Sequence, residues 1–366
     1  MFTLQQSLMT HFLRDILRQP AELQRTFDFL MDAGRPALDA AADAVRAAQH
    51  VYLTGIGSSW HAALTAGPLF RLGARPVYMV SAEELLHFAS IPPDSAIIVI
   101  SRSGRSVEIV SLIAKVRNSG ATVIGITNST DGPLAKEAQI PIVVPIEWDH
   151  AISVNTYSTL AATAGILASA VVGSLSRTFA ASISRVFETT ASVIPAWQTQ
   201  IADTPWLAPN SVYCFLARGS SLGSCHEARL LWEEGAKSPA IAMGTGSFRH
   251  GPQEMVTANI RFGIWIDGER MRAQDLAVAQ DLRRMGASVM LVGQDLPSDA
   301  ADLVFRLPQV PSGWQFLVDS IPAQLAAEHL SRLSGVDCDS FRFCSFIVED
   351  EFGLMRQDSG VPREQK

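Results

Sequence analysis

Lysine and cysteine are both scarce in this chain of 366 residues. The lysines number only four, and they are Lys115, Lys136, Lys237 and Lys366. With a formal net charge of −7, the chain has no general positive field that would attract DNA, RNA or anionic lipid. The four cysteines have no CxxC spacing, which argues against a disulfide framework and a zinc site. We therefore expect no nucleic-acid partner, no membrane partner and no bound metal.

Long hydrophobic runs are also missing. The most apolar run, from Leu160 to Leu175, is shorter than the ~20 residues that a bilayer requires. It is rich in alanine, serine and glycine and predicts a buried helix. Near the N-terminus, Arg14 and Asp15 interrupt the apolar stretch, so no signal peptide is predicted. These features favour a cytoplasmic protein.

Apolar residues make up 48% of the chain, enough for a sizeable core. Continuous apolar segments predict buried strands at 50–54, 77–80, 96–101, 120–127, 140–144, 212–217, 260–267, 286–293 and 301–308. Helical periodicity covers the first 45 residues and returns at 60–72, 107–118, 158–176, 181–201, 222–235 and 311–333. Strands that alternate with helices predict an α/β fold with doubly wound parallel sheets flanked by helices.

Two short patterns occur twice in the same order. Gly57-Ser58-Ser59 follows the first strand, and Gly219-Ser220-Ser221 follows a strand about 160 residues later. Gly120-Ala-Thr-Val and Gly286-Ala-Ser-Val have nearly the same separation. This order indicates two tandem copies of one unit. We place N-terminal helices at 1–45, the first unit at 46–180, the second unit with a leading helix at 181–345, and a tail at 346–366.

A serine-rich loop, Ser101-Arg-Ser-Gly-Arg-Ser106, lies between a buried strand and a helix. The helix N-terminus offers free N–H groups, and the hydroxyls of Ser101, Ser103 and Ser106 add donors, as a phosphate site requires. The turn 54–59 is of the same kind. Simple helix capping by serine is the alternative. No P-loop and no dinucleotide fingerprint is present, so we expect no nucleotide cofactor and no other cofactor.

Three further side chains are candidates for acid–base chemistry. His250 precedes Gly-Pro in a constrained loop, and an imidazole can exchange protons near neutral pH. Glu227 and Glu234 lie seven residues apart on one predicted helix, so they share a face, whereas Glu233 points elsewhere. A carboxylate beside a sugar-phosphate site could remove a carbon-bound proton. Ordinary core or surface positions remain the alternative for each residue.

Taken together, these segments resemble the sugar isomerase (SIS) family, in particular the isomerase half of glucosamine-6-phosphate synthase and the ketosamine-6-phosphate deglycases. The resemblance covers about residues 30–350. It is carried by segments 54–61, 101–106, 126–128 and 133–135, by Arg218-Gly219, Glu227 and Glu234, and by segment 248–252.

The resemblance implies two SIS units, a homodimer with sites near its interface, and a phosphorylated sugar as the ligand. It implies that Glu234 moves a proton between C1 and C2, with Glu227 as a further catalytic residue. It also implies that His250 reaches the partner subunit's site and assists ring opening. The residues that would bind the sugar phosphate are Gly57, Ser58, Ser59, Ser101, Arg102, Ser103, Ser106 and Val154.

The sequence departs from the synthase pattern at three places. No cysteine precedes Cys214, so we expect no glutaminase domain and no ammonia from glutamine. The C-terminal stretch 343–349 has no lysine, and Leu231 replaces a helix lysine. These losses favour deglycation or deamination of a C6-phosphorylated ketosamine or amino sugar, with aldose–ketose isomerisation also open. A non-catalytic sugar-phosphate sensor is the alternative from another functional class.

Overall fold

The computed structural model describes residues 9–351, 353 and 354 of the chain. Of the predicted N-terminal segment and tail, residues 1–8, 352 and 355–366 lie outside the described residues.

The first half of the chain forms a five-stranded parallel sheet with the order β2-β1-β3-β4-β5. Its strands are β1 (His50–Thr54), β2 (Tyr78–Met79), β3 (Ser95–Ile100), β4 (Thr122–Thr127) and β5 (Ile140–Val143). Every residue of β3 is buried, as expected for a central strand with helices on both faces.

The second half forms another five-stranded parallel sheet. Its strands are β6 (Val212–Ala217), β7 (Ala240–Gly244), β8 (Ile260–Trp265), β9 (Ser288–Gly293) and β10 (Leu303–Arg306). The order β7-β6-β8-β9-β10 is that of the first sheet, strand for strand. Gly57 and Gly219, which follow β1 and β6, share a φ of +57°, a left-handed conformation that glycine adopts without strain.

Helices cover the faces of both sheets and lie between them. The α-helices of the described chain are α1 (His11–Leu17), α2 (Gln19–Met31), α3 (Arg35–Ala47), α4 (Ser58–Leu72), α5 (Ala82–His87), α6 (Val107–Ser119), α7 (Pro133–Glu137), α8 (Asn155–Val172), α9 (Arg177–Ala202), α10 (Ser221–Glu234), α11 (Thr245–Phe248), α12 (Arg272–Arg284) and α13 (Ile321–Leu333). Short 3-10 helices span Pro252–Met255 and Gln315–Leu317. The main hydrophobic core joins residues of both halves.

Helices α4 and α10 pack against each other in antiparallel directions between the two sheets. Gly223 in the first turn of α10 touches α4 so closely that a Cβ there would lie 2.4 Å from the carbonyl oxygen of His61. Four residues further along α10, Glu227 contacts Ser58, which lies earlier in α4. Each helix therefore starts at one sheet and runs back toward the other.

Most predicted elements are present within one or two residues of their expected ends. The apolar run is the buried helix α8, and no helix of the described chain is both long and apolar enough to cross a membrane. Strand β7 and helices α5, α7, α11 and α12 were missed. The helix predicted over 311–333 begins only at Ile321, after the 3-10 helix Gln315–Leu317. The prediction of parallel sheets flanked by helices is confirmed.

Candidate active site

A cavity of about 210 Å³ lies where β1 and β3 end and α4 and α6 begin. It is lined by two turns of the first sheet, by the last residue of α10 and by a C-terminal segment. The predicted site residues in its wall are Gly57, Ser58, Ser59, Ser101, Arg102, Ser103, Ser106 and Glu234. Residues far apart in the sequence are thus collected at the sheet edge where ligands bind in parallel α/β folds.

The serine loop after β3 is held by its own hydroxyls. Ser101 Oγ accepts a hydrogen bond from the N–H of Gly104 at 3.1 Å, and Ser103 Oγ accepts one from Arg105 at 3.2 Å. Ser106 is the N-cap of α6, yet its side chain makes no capping hydrogen bond. Helix capping therefore does not explain Ser106, whose hydroxyl remains available to an anion at the start of α6.

Arg102 joins this loop to the C-terminal segment 341–348. Its guanidinium donates to Ser153 Oγ at 3.1 Å and to the carbonyl oxygen of Phe346 at 2.6 Å. Burial lowers its pKa, but the side chain keeps its charge at neutral pH because arginine titrates far above that range. A second bond, from Val107 N–H to the carbonyl oxygen of Val348, holds the same segment over the cavity.

Glu234 brings a titratable carboxyl group into this wall. Burial, with a smaller contribution from the nearby Glu227, raises its pKa to about 7. At neutral pH the group is therefore present in both ionised and protonated forms, as a residue that accepts and returns a proton requires. Lys237 lies one turn further on and donates to the backbone oxygens of Glu234 and Ser340.

Glu227 lies deeper, behind the cavity wall, and is fully buried. One carboxyl oxygen accepts a hydrogen bond from Ser58 Oγ at 3.0 Å, and the other lies 2.7 Å from Nδ1 of His61. Burial raises the pKa of Glu227 to about 8 and lowers that of His61 to about 3. At neutral pH the carboxyl group is thus protonated and donates to a neutral imidazole, so the pair carries no net charge.

Two predicted site residues do not line this cavity. Val154 is fully buried at the N-cap of α8, and its neighbour Ser153 lines the wall instead. His250 is exposed in the loop after α11 and takes no part in the cavity of its own chain. This position is compatible with action in a partner subunit, and that role stays a prediction.

Some features of the site were not predicted from the sequence. His61 was identified only as part of a family segment, and segment 341–348 only as a stretch without lysine. The contact of His61 with Glu227 and that of segment 341–348 with Arg102 have no local sequence signal, because both depend on how distant parts of the chain pack. The different placement of Glu233 and Glu234 was predicted by helical spacing: Glu233 does not line this cavity and pairs with Arg229 at 2.8 Å.

Comparison with known proteins shows which families of proteins this chain resembles. Residues 45–172 match the family model of the SIS domain. The glutamine–fructose-6-phosphate aminotransferases (isomerizing) of Aeropyrum pernix and Sulfurisphaera tokodaii are 26% and 27% identical to this chain over 91% of its length. The matched region makes up 56% and 55% of those proteins, so the chain spans a little over half of their length.

Solved structures match the whole fold. The C-terminal domain of glucosamine-fructose-6-phosphate aminotransferase from Francisella tularensis superposes with a TM-score of 0.80 at 20% identity, covering 92% of this chain and 99% of that one. The tagatose-6-phosphate ketose/aldose isomerase of Escherichia coli has a TM-score of 0.77, also at 20% identity, over 90% of this chain and 95% of that one. The fold therefore defines an α/β protein with two parallel sheets. Within that class, residues 45–172 are similar to the SIS domain.

Proposed function

We propose that this chain is a phosphosugar-processing enzyme built from two SIS-type units, and that it acts on a C6-phosphorylated ketosamine or amino sugar. The observation that carries the proposal is the position of Glu234, whose carboxyl group has a pKa of about 7 and lines the same cavity as the serine loops. A phosphate group binds at the loop 101–106 and at the starts of α4 and α6. The sugar carbons then extend toward α10.

In this arrangement ionised Glu234 takes a proton from the carbon next to the carbonyl or imine and returns it to the neighbouring carbon. Proton transfer between C1 and C2 interconverts the ketose and aldose forms of the adduct, after which the amine is released by hydrolysis. Among the described residues that line the cavity none is a lysine, so no amine side chain competes for the sugar carbonyl. This supports deglycation or deamination over isomerisation alone.

The assay that tests this function uses fructosamine 6-phosphates and glucosamine 6-phosphate, with the same compounds lacking phosphate as controls. We expect release of free amine and hexose phosphate from the phosphorylated compounds only. Sugar interconversion without amine release would replace deglycation by isomerisation. Binding of these compounds without any turnover would overturn the enzymatic assignment and favour a sensor.

The role of His250 requires a second chain. If His250 of one subunit serves the site of its partner, H250A and E234Q subunits are each inactive alone. When the two variants are mixed at random, half of the dimers contain one chain of each kind. Each such dimer has one intact site, so about a quarter of the wild-type activity returns. Absence of any recovery in a mixture that exchanges subunits would contradict a role in the partner's site, and full activity of H250A alone would place His250 outside the reaction.

A further inference from the structure

A second cavity, of about 500 Å³, lies at the carboxyl edge of the second sheet. Its wall contains the turn after β6, the loops after β8 and β9, segment 309–315 and the C-terminal end of α4. Ser58 at the start of α4 lines the first cavity and Leu72 at its end lines this one. Since a helix rises 1.5 Å per residue, the two cavities are about 20 Å apart.

The turn that enters this cavity has the geometry of the turn in the first site. Gly219 has the same φ as Gly57, and Ser220 and Ser221 start a helix of fourteen residues, as Ser58 and Ser59 start α4. The side chain of Ser220 makes no hydrogen bond with any described residue and lines the cavity. The hydroxyl of Ser220 is therefore available to a ligand at the start of α10.

Four arginines surround the cavity, and two of them are fixed in place. Arg218 donates to the buried Asp275 at 2.7 Å, and Arg272 donates to the carbonyl oxygens of Gln294 and Asp295 at 2.9 and 2.7 Å. The other two, Arg71 and Arg270, make no side-chain hydrogen bond or ion pair with any described residue.

Three carboxylates also line this wall, and each accepts hydrogen bonds from nearby residues. Asp267 accepts from the backbone N–H groups of residues 269–271, Glu269 accepts from Ser312, and Asp295 accepts from Gln309. Because the acids are satisfied while Arg71 and Arg270 are free, the cavity offers unpaired cationic donors to an anion.

A buried amide adds an independent indication of a ligand. Gln315 lines the cavity and is only 7% exposed. Its Nε2 donates to Ser221 Oγ and to the carbonyl oxygen of Ile266, both at 3.3 Å, whereas its Oε1 has no partner among the described residues. A buried acceptor without a donor is uncommon in folded proteins, and a ligand hydroxyl would supply one.

We propose that this second cavity binds a phosphorylated sugar without converting it. The phosphate lies between the start of α10 and the free arginines, and the sugar hydroxyls lie toward Gln315. The residue of α4 that corresponds to Glu234, counted from Gly57 and Gly219, is Leu72, so this wall has no equivalent of the proposed catalytic carboxylate. Binding here is therefore separate from turnover.

The test counts binding sites on the full chain by equilibrium dialysis with glucitol 6-phosphate, which has no carbonyl to react. We expect two molecules per chain for the wild type and for R185E, a control that reverses an exposed arginine on α9. The R71E/R270E variant is expected to bind one, its second-site affinity falling about tenfold or more. Both substituted arginines are exposed, and thermal melting checks that the fold is retained.

A first-cavity variant separates the two sites. S103D places a negative charge in the serine loop and is expected to lose only the first-cavity molecule. One molecule per chain in the wild type, unaffected by R71E/R270E, would overturn the proposal. A single molecule lost in R71E/R270E but kept in S103D would support it while contradicting the proposed function. Inorganic phosphate binding as tightly as the ester would overturn the assignment to a sugar.

Discussion

The two cavities are built on the same turn and differ in the carboxyl groups that reach them. In each, a serine of the turn donates to a buried acid: Ser58 to Glu227 at 3.0 Å, and Ser221 to Asp319 at 2.6 Å. The first cavity has in addition the carboxyl group of Glu234 at the end of α10, with a pKa of about 7, whereas the corresponding residue at the second cavity is Leu72. The repeated turn thus accounts for the proposed binding of an anion in both cavities, and the end of α10 explains why chemistry is expected in the first cavity alone.

The largest expected effect comes from substituting, one at a time, the corresponding residues at the C-terminal ends of α10 and α4. E234Q removes the proton acceptor and is expected to lower kcat about 1000-fold while leaving substrate affinity nearly unchanged. L72Q makes a comparable polar change at the corresponding position of α4 and is expected to leave kcat within about twofold. Steady-state kinetics on both variants checks this, with E233Q as a control on α10 itself. Similar kcat values for E234Q and L72Q would remove the distinction between the cavities.

The pH profile gives the next largest effect. Because the ionised form of Glu234 accepts the proton and its pKa is about 7, kcat/KM is expected to fall about tenfold per unit as the pH decreases below that value. Between pH 7 and pH 5 the loss is about 50-fold, because half of the group is still ionised at pH 7. The measurement is kcat/KM across pH 5 to 9 at constant ionic strength. A flat profile below pH 7 would contradict the assignment of Glu234 as the base.

The two turn serines provide a matched pair with a smaller effect. S58A removes a hydrogen bond to Glu227 and is expected to lower turnover about tenfold, the rate equivalent of one lost hydrogen bond. S221A leaves Asp319 without that donor and is expected to cost about 1 kcal/mol of folding free energy, with turnover unchanged. Kinetics and denaturant unfolding of both variants test the contrast. An equal loss of turnover in S221A would contradict it.

The last prediction concerns stability rather than turnover. The pKa of Glu227 is about 8 in the folded chain and that of Asp319 about 6, both raised by burial. Such acids bind a proton more tightly when folded, so each makes the unfolding free energy fall as the pH rises from its unfolded pKa toward its folded pKa, by up to about 1.4 kcal/mol per unit. E227Q is expected to reduce this slope up to about pH 8, and D319N only up to about pH 6. Unfolding of both variants in buffers of increasing pH measures this, and identical slopes would contradict it.

Much of the fold could be predicted from local patterns. Continuous apolar strands, glycine turns and helical spacing gave the first sheet, most of the second and the shared face of Glu227 and Glu234. Strand β7 was missed because its small residues follow Pro239 and give no strong strand signal. Helix α12 was missed because its charged sequence has only a narrow apolar stripe.

The contacts behind the site were harder to predict. The hydrogen bond between Glu227 and His61 and the segment bound by Arg102 join residues more than 160 positions apart. Such contacts follow from the packing of α4 on α10 and of the C-terminal segment on the first sheet. No spacing rule within one element specifies them.

The antiparallel pairing of α4 with α10 has a consequence for how such a site could arise. The serine loops of the first cavity belong to the first half of the chain, but the carboxyl groups of Glu227 and Glu234 are supplied by the second half. The arrangement at the other sheet is reciprocal, since the end of α4 completes the wall there. An ancestral single repeat could therefore have assembled a whole site only by associating with a second copy of itself. Fusion of two copies would then allow the two composite sites to differ, as Glu234 at the first cavity and Leu72 at the second do.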